Sequence, residues 1–114
     1  MIREIKFRAW DTLYKEMIYD VQFRRDDRTF EQFLDSRYAL MQFTGLKDKN
    51  GKEIYERDRY LWKGERGVVV WNVGSFWCTP ESPHDAKWDR LYLFVDEIYV
   101  TGNIYENPEL LSGT

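Results

Sequence analysis

Cysteine and histidine are the scarcest chemically reactive residues of this sequence, which contains one of each. A single cysteine, Cys78, cannot form an intramolecular disulfide, which excludes a disulfide framework and fits a reducing compartment. Cys78 and the one histidine, His84, also fall short of the ligands that a closed zinc site needs. The nearby acids Glu81, Asp85 and Asp89 do not have the spacing of a calcium-binding EF-hand loop. We therefore expect neither a metal nor a cofactor.

Long apolar runs and an excess of basic residues are also missing. No segment approaches the length of a membrane-spanning helix, and charges interrupt Met1 to Lys6, where a signal peptide needs its apolar core. The formal net charge of −3 argues against broad, charge-driven binding to nucleic acid or anionic lipid. These absences predict a cytoplasmic protein with no membrane partner.

Aromatic residues are abundant by contrast, at 18% of the chain. At a typical burial of about 200 Å² each, their rings all fit into the core of a single domain. A length of 114 residues is close to the commonest domain size, so we expect one compact domain or a domain with a small added part. Aromatic content alone is therefore no sign of an exposed binding face.

The N-terminal part of the chain carries the pattern of a β-hairpin followed by a short helix. Apolar and polar residues alternate from Ile5 to Trp10 and again from Met17 to Phe23, which predicts two antiparallel strands. Phe30, Phe33 and Leu34 are then spaced i, i+3, i+4, which is the period of a helix. So short a helix is unstable alone, and we expect it to pack these three side chains on the sheet.

The remainder of the chain carries several short strand patterns with turn signals between them. Asp48 to Lys52 is the clearest turn, because it holds an Asn-Gly pair that tolerates a positive φ. Val68 to Val73 is the strongest strand, and its β-branched run predicts burial on both faces or a central position. We predict a mainly β fold, in which residues 37–114 close into a small barrel and residues 1–36 add the hairpin and helix. Further strands are predicted at Tyr38 to Phe43, Tyr60 to Lys63, Phe76 to Cys78, Arg90 to Val95 and Ile98 to Ile104.

Cys78 and His84 are the one candidate pair for nucleophilic catalysis, since they stand close together in the sequence. A reactive thiolate also needs a positioned imidazole and an oxyanion site, and neither a nucleophile elbow nor a glycine-lined loop accompanies them. Glycine patterns that bind phosphates or dinucleotides are absent as well. We predict that the protein is not an enzyme.

A cluster of lysines is the first candidate binding site. Lys47, Lys49 and Lys52 surround the predicted turn, and Tyr55 follows them. Cations beside an aromatic ring can hold a phosphate backbone and stack a base, which indicates nucleic acid as one ligand. Lysines also keep an exposed hairpin soluble, and neighbouring acids offset part of their charge.

Tryptophans are the second candidate, because this residue is favoured at interface hot spots but also fills cores. Tyr60 and Leu61 precede the first of them, and strand alternation cannot place both of these side chains on one buried face. One bulky side chain then needs other cover, which self-association would supply. The four tryptophans concerned are Trp62, Trp71, Trp77 and Trp88, of which Trp62 and Trp88 are the preferred binding candidates.

Three separated segments carry a resemblance to a known family: Arg3 to Asp11, Met41 to Glu56 and Gly102 to Leu111. In the same order, they closely resemble the YopX family of phage and prophage proteins. The resemblance implies that the C-terminal part is a small SH3-like barrel and that the protein works in a bacterial host cell. It implies no reaction, catalytic residue or ligand.

The chain departs from that family pattern at Arg57, where the family usually has a glycine before the aspartate, here Asp58. Glycine takes a positive φ without steric cost, whereas arginine does not. We expect a turn that is either differently shaped or strained. Arg57 and Arg59 also add positive charge beside the lysine cluster.

The leading hypothesis is a non-enzymatic accessory protein that acts by binding or assembly and forms homo-oligomers, with a protein partner as a further option. The alternative is a nucleic-acid-associated module, whose binding residues would be Lys47, Lys49, Lys52, Arg57 and Arg59.

Overall fold

The computed structural model describes residues 4–23, 26–81 and 88–107. Within these ranges the chain forms nine β-strands and two 3₁₀ helices, and no α-helix is present. The strands are β1 (Phe7–Asp11), β2 (Glu16–Tyr19), β3 (Tyr38–Lys47), β4 (Glu53–Tyr55), β5 (Asp58–Trp62), β6 (Glu65–Asn72), β7 (Ser75–Pro80), β8 (Asp89–Arg90) and β9 (Tyr99–Asn103). The prediction of a mainly β protein is confirmed. Closure into an SH3-like barrel stays a prediction.

Two compact units make up the chain, Met1–Phe43 and Thr44–Thr114. The boundary falls inside strand β3, whose residues up to Gln42 pair with β1 and whose later residues run beside β4. Division of the chain into domains at residues 1–36 and 37–114 stays a prediction, because compactness alone does not show which part folds independently.

The first unit is built around strand β1, which pairs antiparallel with β2 on one side and with β3 on the other. The hairpin predicted from the alternating pattern is therefore confirmed. Ala9 and Val21 are fully buried and pack with Ile18 and Phe33 in the core of this unit. Both faces of β1 are covered, since Arg8 and Trp10, which alternate with Ala9 and Asp11, are buried as well.

The predicted helix of the first unit is a 3₁₀ helix, Phe30–Leu34. Its N-cap is Thr29, whose N–H donates to Gln32 Oε1 at 2.7 Å. Phe33 is fully buried, but Leu34 is 59% exposed, so the prediction that it packs on the sheet is wrong. The reason is the tighter period of a 3₁₀ helix, in which residues i and i+3 share a face and residue i+4 turns away.

The second unit contains a five-stranded antiparallel sheet in the order β8-β7-β6-β5-β9. Strand β6 is central, as the β-branched run predicted. Only one of its faces is well covered, because Val69 is fully buried whereas Val68 and Val70 are half-buried. The core of this unit consists of Ile54, Tyr60, Val69, Phe76, Cys78, Leu91 and Ile98.

The predicted strand from Arg90 to Val95 is wrong. Strand β8 ends at Arg90, and Leu91–Leu93 forms a 3₁₀ helix that places the N–H of Phe94 on the carbonyl of Leu91 at 3.0 Å. Leu91 is fully buried, but the next two residues are each 57% exposed. This pattern buries one residue per helical turn, which a strand cannot do because its side chains alternate.

Asp48 organises the turn that the sequence identified between β3 and β4. Its carboxylate is buried and accepts the N–H groups of Asn50 and Lys52 on Oδ1, each at 2.9 Å. Its Oδ2 accepts the N–H of Val100 in β9 at 2.8 Å. One side chain thus closes the turn and ties it to a strand far along the chain, because a buried carboxylate needs several donors.

A second cluster of backbone contacts follows β9. The buried Asn103 side chain accepts the N–H groups of Tyr105 and Glu106, at 3.0 and 2.8 Å. Gly102 lies so close to Asn107 that an added Cβ would overlap the Asn107 side chain. The sequence also predicts a final helical turn, with Asn107 as its N-cap and Pro108 at its first position, and the part of it beyond Asn107 lies outside the described residues.

Arg57 adopts a φ of +68°, which confirms that the turn before β5 is strained. An arginine in this region costs about 1 kcal/mol relative to glycine. Two backbone hydrogen bonds hold it there: its N–H donates to the carbonyl of Val69 at 2.8 Å, and its carbonyl accepts the N–H of Ile104 at 3.2 Å. Asp58 supports the same turn by accepting the N–H of Tyr55 at 2.8 Å.

Candidate binding surfaces

Cys78 lies in the core of the second unit and has the environment of a structural thiol. Burial is the main cause that raises its pKa to about 12, with a smaller contribution from Asp89. At neutral pH the thiol is therefore protonated and a poor nucleophile. His84, its candidate catalytic partner, lies outside the described residues. No group of three His, Cys, Asp or Glu side chains suited to a metal occurs in the part of the chain that the structure describes.

The lysine cluster is exposed, as a solvent-facing turn requires: Lys47, Lys49 and Lys52 all lie on the surface. Lys49 Nζ lies 4.5 Å from the centroid of the Tyr99 ring, which gives a cation–π contact. The same shallow depression is lined by Asp96 and Glu97. These acids offset the positive charge around Lys49, so the cluster is less basic than the sequence indicated.

Arg59 and Tyr55 are buried, unlike Arg57, which is exposed. The Arg59 guanidinium forms an ion pair with Glu81, in which Nη1 and Nη2 both donate to the carboxylate oxygen Oε1. The structure therefore places Arg59 inside the second unit and gives it a charged partner. Arg59 therefore adds no positive charge to the surface near the lysines, contrary to the prediction from the sequence.

Trp62 and Trp88, the preferred aromatic candidates, have different surroundings. Trp62 is half-buried and packs against Phe94 with ring centroids 4.9 Å apart. Trp88 is 47% exposed and lies beside Trp77, with the two ring centroids 6.4 Å apart. Trp62 therefore serves largely as cover for the core, whereas Trp88 contributes to an exposed aromatic surface.

That surface belongs to the hairpin of β6 and β7, which carries Trp71 and Trp77 of the candidate tryptophans. Trp71 lies opposite Phe76 on one face of the hairpin, and Val70 lies opposite Trp77 on the other. Trp71 is 50% exposed, and it meets Phe76 edge to face. The hairpin surface, as we call it from here on, takes in both faces of the hairpin and its turn, together with Trp88 beside Trp77: Val70, Trp71, Val73, Trp77 and Trp88.

The turn of this hairpin holds an apolar residue in an unfavourable conformation. Val73 and Gly74 have φ values of +48° and +72°, and the strands rejoin with Asn72 opposite Ser75. Two positive φ values in a two-residue loop define a type I′ turn, which favours asparagine rather than a β-branched residue at the first position. Val73 is nevertheless present there and is 86% exposed.

A sequence signal for the hairpin surface does exist. Gly67 to Pro80 is the longest stretch of the chain without a charged residue, although charged residues make up 32% of the whole. Strand periodicity accounts for alternate apolar side chains in this stretch, but it does not account for the absence of charge on the other face. Val68 to Val73 in this stretch has the pattern of a strand that is central or buried on both faces, and only the fold shows that part of it is exposed.

No helix among the described residues combines the length and apolarity needed to cross a membrane. A family model described as YopX protein matches residues 6–112 of the sequence. No curated protein matches the chain.

Two crystal structures are similar to this fold over nearly its whole length. Protein EF1440 from Enterococcus faecalis shares 30% sequence identity, with a TM-score of 0.70 over 96% of this chain and 99% of that one. Protein yopX from Bacillus subtilis shares 22% identity, with a TM-score of 0.58 over 96% of this chain and 97% of that one. At the second level of identity the likeness concerns the fold alone.

Proposed function

This chain belongs to the YopX family, and we propose that it is a non-enzymatic assembly module that forms homo-oligomers through its hairpin surface. We further propose that it works in the cytoplasm of a bacterial host as an accessory protein of phage or prophage origin. The bacterial sources of the two similar structures and the lack of a membrane-spanning helix among the described residues support this setting.

Val73 is the observation that carries the proposal. A β-branched residue with a positive φ is strained by an amount on the order of 1 to 3 kcal/mol, and strain of this kind marks functional positions. Its side chain is 86% exposed, so core packing within the chain does not compensate for the strain. An interface that covers Val73 would compensate for it, because the apolar side chain would then leave water.

The absence of charge on the hairpin favours a second copy of the chain as the occupant. A two-fold interface brings the same surface patch of both copies together, so any unpaired charge in the patch faces its own equivalent or lies close to it. Gly67 to Pro80 has no charged side chain and reduces this repulsion, although the Arg90 guanidinium lies 5.5 Å from the centroid of the Trp77 ring. A surface made for a different, charged partner would be expected to carry complementary charges.

The exposed aromatic area sets the strength of the association. A standard interface buries about 800 Å² on each partner, and half-exposed tryptophans supply only part of that area. We therefore expect reversible association with a dissociation constant of about 1 to 100 μM, in the range of small and transient interfaces.

The environment of Cys78 supports the non-enzymatic part of the proposal. Its buried and protonated thiol packs in the core. Buried polar side chains in the segments that resemble the family bind backbone N–H groups instead. Asp48 closes a turn and Asn103 closes another, so each is engaged by main-chain donors. The residues that carry the family resemblance therefore have structural roles.

Sedimentation velocity over a range of protein concentrations tests the proposal. Trp71→Ser and Val73→Asn should each weaken association by about tenfold or more, because both remove apolar area from the hairpin surface. Val73→Asn should at the same time raise the free energy of unfolding by about 1 kcal/mol, since asparagine tolerates the positive φ. A loss of association with a gain of stability cannot come from unfolding.

Leu13→Ser is the matched control, because Leu13 is also an exposed apolar residue, at 63%, but belongs to the first unit. It should leave the association constant unchanged. A wild-type protein that stays monomeric up to millimolar concentration contradicts the proposal, as does an equal effect of Leu13→Ser and Trp71→Ser.

Nucleic-acid binding remains the second candidate, and the exposure of Lys47, Lys49 and Lys52 favours it. The surface position of all three and the cation–π contact of Lys49 with Tyr99 suit phosphate and base contacts, although Arg59 does not contribute. A gel shift with single-stranded and double-stranded DNA at low salt tests it. Binding that weakens steeply with added salt and is lost on replacing the three lysines by glutamine supports this function, and no shift at low salt rejects it.

A further inference from the structure

A small cavity lies in the second unit beside the buried ion pair. Its volume is about 150 Å³, and its lining residues are Arg59, Tyr60, Leu61, Arg66, Glu81 and Thr101. Leu61 lies opposite Arg66 in the pairing of β5 with β6, so their side chains share one face of the sheet. Arg59 is two residues from Leu61 on the same strand, which brings both guanidinium groups to that face.

Arg59 is the unusual member of this lining. Its side chain is 2% exposed, and its Nε has no hydrogen-bond partner among the described residues. Each Nη atom donates to the same oxygen of Glu81, so Nε is the guanidinium nitrogen left without an acceptor among the described residues. Buried donors in proteins nearly always have an acceptor, which makes this atom a position where an acceptor is missing.

The charge and size of the cavity indicate what kind of acceptor it takes. The lining has two guanidinium groups, Arg59 and Arg66, and one carboxylate, Glu81, and the nitrogen without an acceptor among the described residues belongs to the positively charged Arg59. Leu61 supplies apolar wall, whereas the Tyr60 side chain lies on the opposite face of β5, in the core. A cavity of about 150 Å³ is large enough for a benzene ring. A single carboxylate on a small apolar body matches all three properties.

We propose that this cavity binds a small carboxylate whose apolar body is about the size of one six-membered ring. The carboxylate accepts a hydrogen bond from Arg59 Nε, while the ring lies against Leu61. Arg59 remains paired with Glu81 in this arrangement, so the pair acts as a fixed donor for the ligand.

Carboxylates come either as free molecules or as side chains and termini of another polypeptide, and the chemistry at Arg59 is the same. The two sources differ in what they respond to. A free ligand changes the Arg59 environment when it is added, whereas a carboxylate of a second copy changes it when the protein concentration rises.

NMR of the Arg59 Nε–Hε group, in 15N-labelled full-length protein, gives a direct readout. Benzoate is the probe, and benzyl alcohol, which has the same ring without the charge, is its control. We expect a saturable downfield shift of the Hε resonance with benzoate and a dissociation constant of about 1 mM, as suits so small a ligand. Benzyl alcohol should bind at least about tenfold more weakly.

Thr101→Ile is the variant that blocks the cavity, and Thr79→Ile is its matched control. Each threonine donates its hydroxyl to a backbone carbonyl of a neighbouring strand, that of Arg59 and that of Val68, so each variant loses a comparable hydrogen bond. Only Thr101 lines the cavity. Thr101→Ile should weaken benzoate binding at least about tenfold, and Thr79→Ile should leave it unchanged.

Titrations in the Val73→Asn background keep self-association from interfering, so the outcome is separate from that of the proposed function. A benzoate shift in this background supports a free carboxylate. A shift of Hε that appears in the wild-type protein on concentration alone, and is absent from Val73→Asn, supports a carboxylate of a second copy. An Hε resonance that responds to neither, with a single water found on Nε in a crystal soaked with benzoate, overturns the proposal.

Discussion

Each of the two units contains a carboxylate paired with a guanidinium, and the two pairs differ in how fully their donors are satisfied. In the first unit, Asp11 is buried and accepts both Nε and Nη2 of Arg37, at 3.1 and 2.7 Å, so the pair is bidentate. It also accepts the N–H groups of Leu13 and Tyr14, at 2.9 and 3.1 Å. In the second unit, two Arg59 nitrogens donate to one oxygen of Glu81, and Nε has no acceptor among the described residues.

This difference indicates that the Asp11–Arg37 pair has a purely structural role, whereas the Arg59–Glu81 pair does not. The Asp11 pair closes the turn between β1 and β2, and the Arg37 guanidinium lies between the rings of Tyr14 and Tyr38, at 5.0 and 5.1 Å from their centroids. Every contact of this pair has a counterpart within the first unit. The Arg59 pair is more deeply buried on the side of its cation and lies beside a cavity, which is the arrangement expected where a ligand completes the hydrogen bonding.

Glu81→Ala is expected to have the largest effect, because it removes the carboxylate that neutralises the buried charge of Arg59. Arg59, 2% exposed, would be left with its charge unpaired, and we expect the free energy of unfolding to fall by about 3 kcal/mol. Urea denaturation measures it. The double variant Arg59→Met with Glu81→Leu should lose less than about 1 kcal/mol, since apolar groups of similar size replace the whole pair. An equal loss in the single and double variants would show that the charge itself is unimportant.

Asp11→Asn tests the satisfied pair, and its effect should be smaller because Arg37 is 35% exposed and stays hydrated when its partner is neutral. The hydrogen bonds from Arg37, and then those from the backbone of Tyr14 and Leu13, hold the pKa of Asp11 well below its usual range despite burial, which acts in the opposite direction. A lowered pKa in the folded state stabilises the protein above the unfolded value of about 3.9 and loses that contribution as the pH falls further. The stability gap between wild type and Asp11→Asn should therefore be constant near pH 7 and shrink below about pH 4. A gap that is independent of pH down to pH 2 would contradict this account.

Arg57→Gly should have the smallest effect of the three, and it compares backbone strain in the two units. Among the described residues other than glycine, positive φ falls on Lys15 and three aspartates in the first unit, and on Arg57, Lys63 and Val73 in the second; aspartate is the type that tolerates this region best. Glycine at position 57 should raise the free energy of unfolding by about 1 kcal/mol, because it removes the steric cost of a φ of +68°. Asp20→Gly should change stability by less than about 0.5 kcal/mol. Thermal unfolding of both variants checks the contrast, and equal effects would remove the distinction between the units.

Much of the strand pattern was predictable because it depends on local alternation. The hairpin of β1 and β2 and the turn at Asp48 follow from residue type and spacing, whereas the departure from the family pattern at Arg57 left open whether that turn is reshaped or strained, and its φ of +68° shows strain. The segment after Arg90 was not predictable, because a short apolar run fits a strand or a 3₁₀ helix equally well. Only the burial of Leu91 in the core distinguishes the two. Leu34 was misplaced for a related reason, since the period of a single helical turn cannot be read from three residues.

The binding candidates divide in the same way. Exposure of the three lysines followed from their place in a turn, but nothing local to Arg59 distinguishes a surface cation from a buried one. Its pairing depends on Glu81, and its burial on strands that meet only in the fold. The hairpin surface left a trace in the sequence, the missing charge from Gly67 to Pro80, but that trace has the opposite meaning in a buried strand.

By itself, then, the sequence determined the fold class, the turns and the family, because these follow from the short-range spacing of apolar residues, glycines and capping side chains. Tertiary structure alone decided which of the similar-looking side chains are available to a ligand or a partner. Trp62 covers the core while Trp71 and Trp88 are about half exposed, and Arg59 lines a cavity while Arg57 faces solvent. Burial is a property of contacts between distant segments, and no local pattern of residues encodes it.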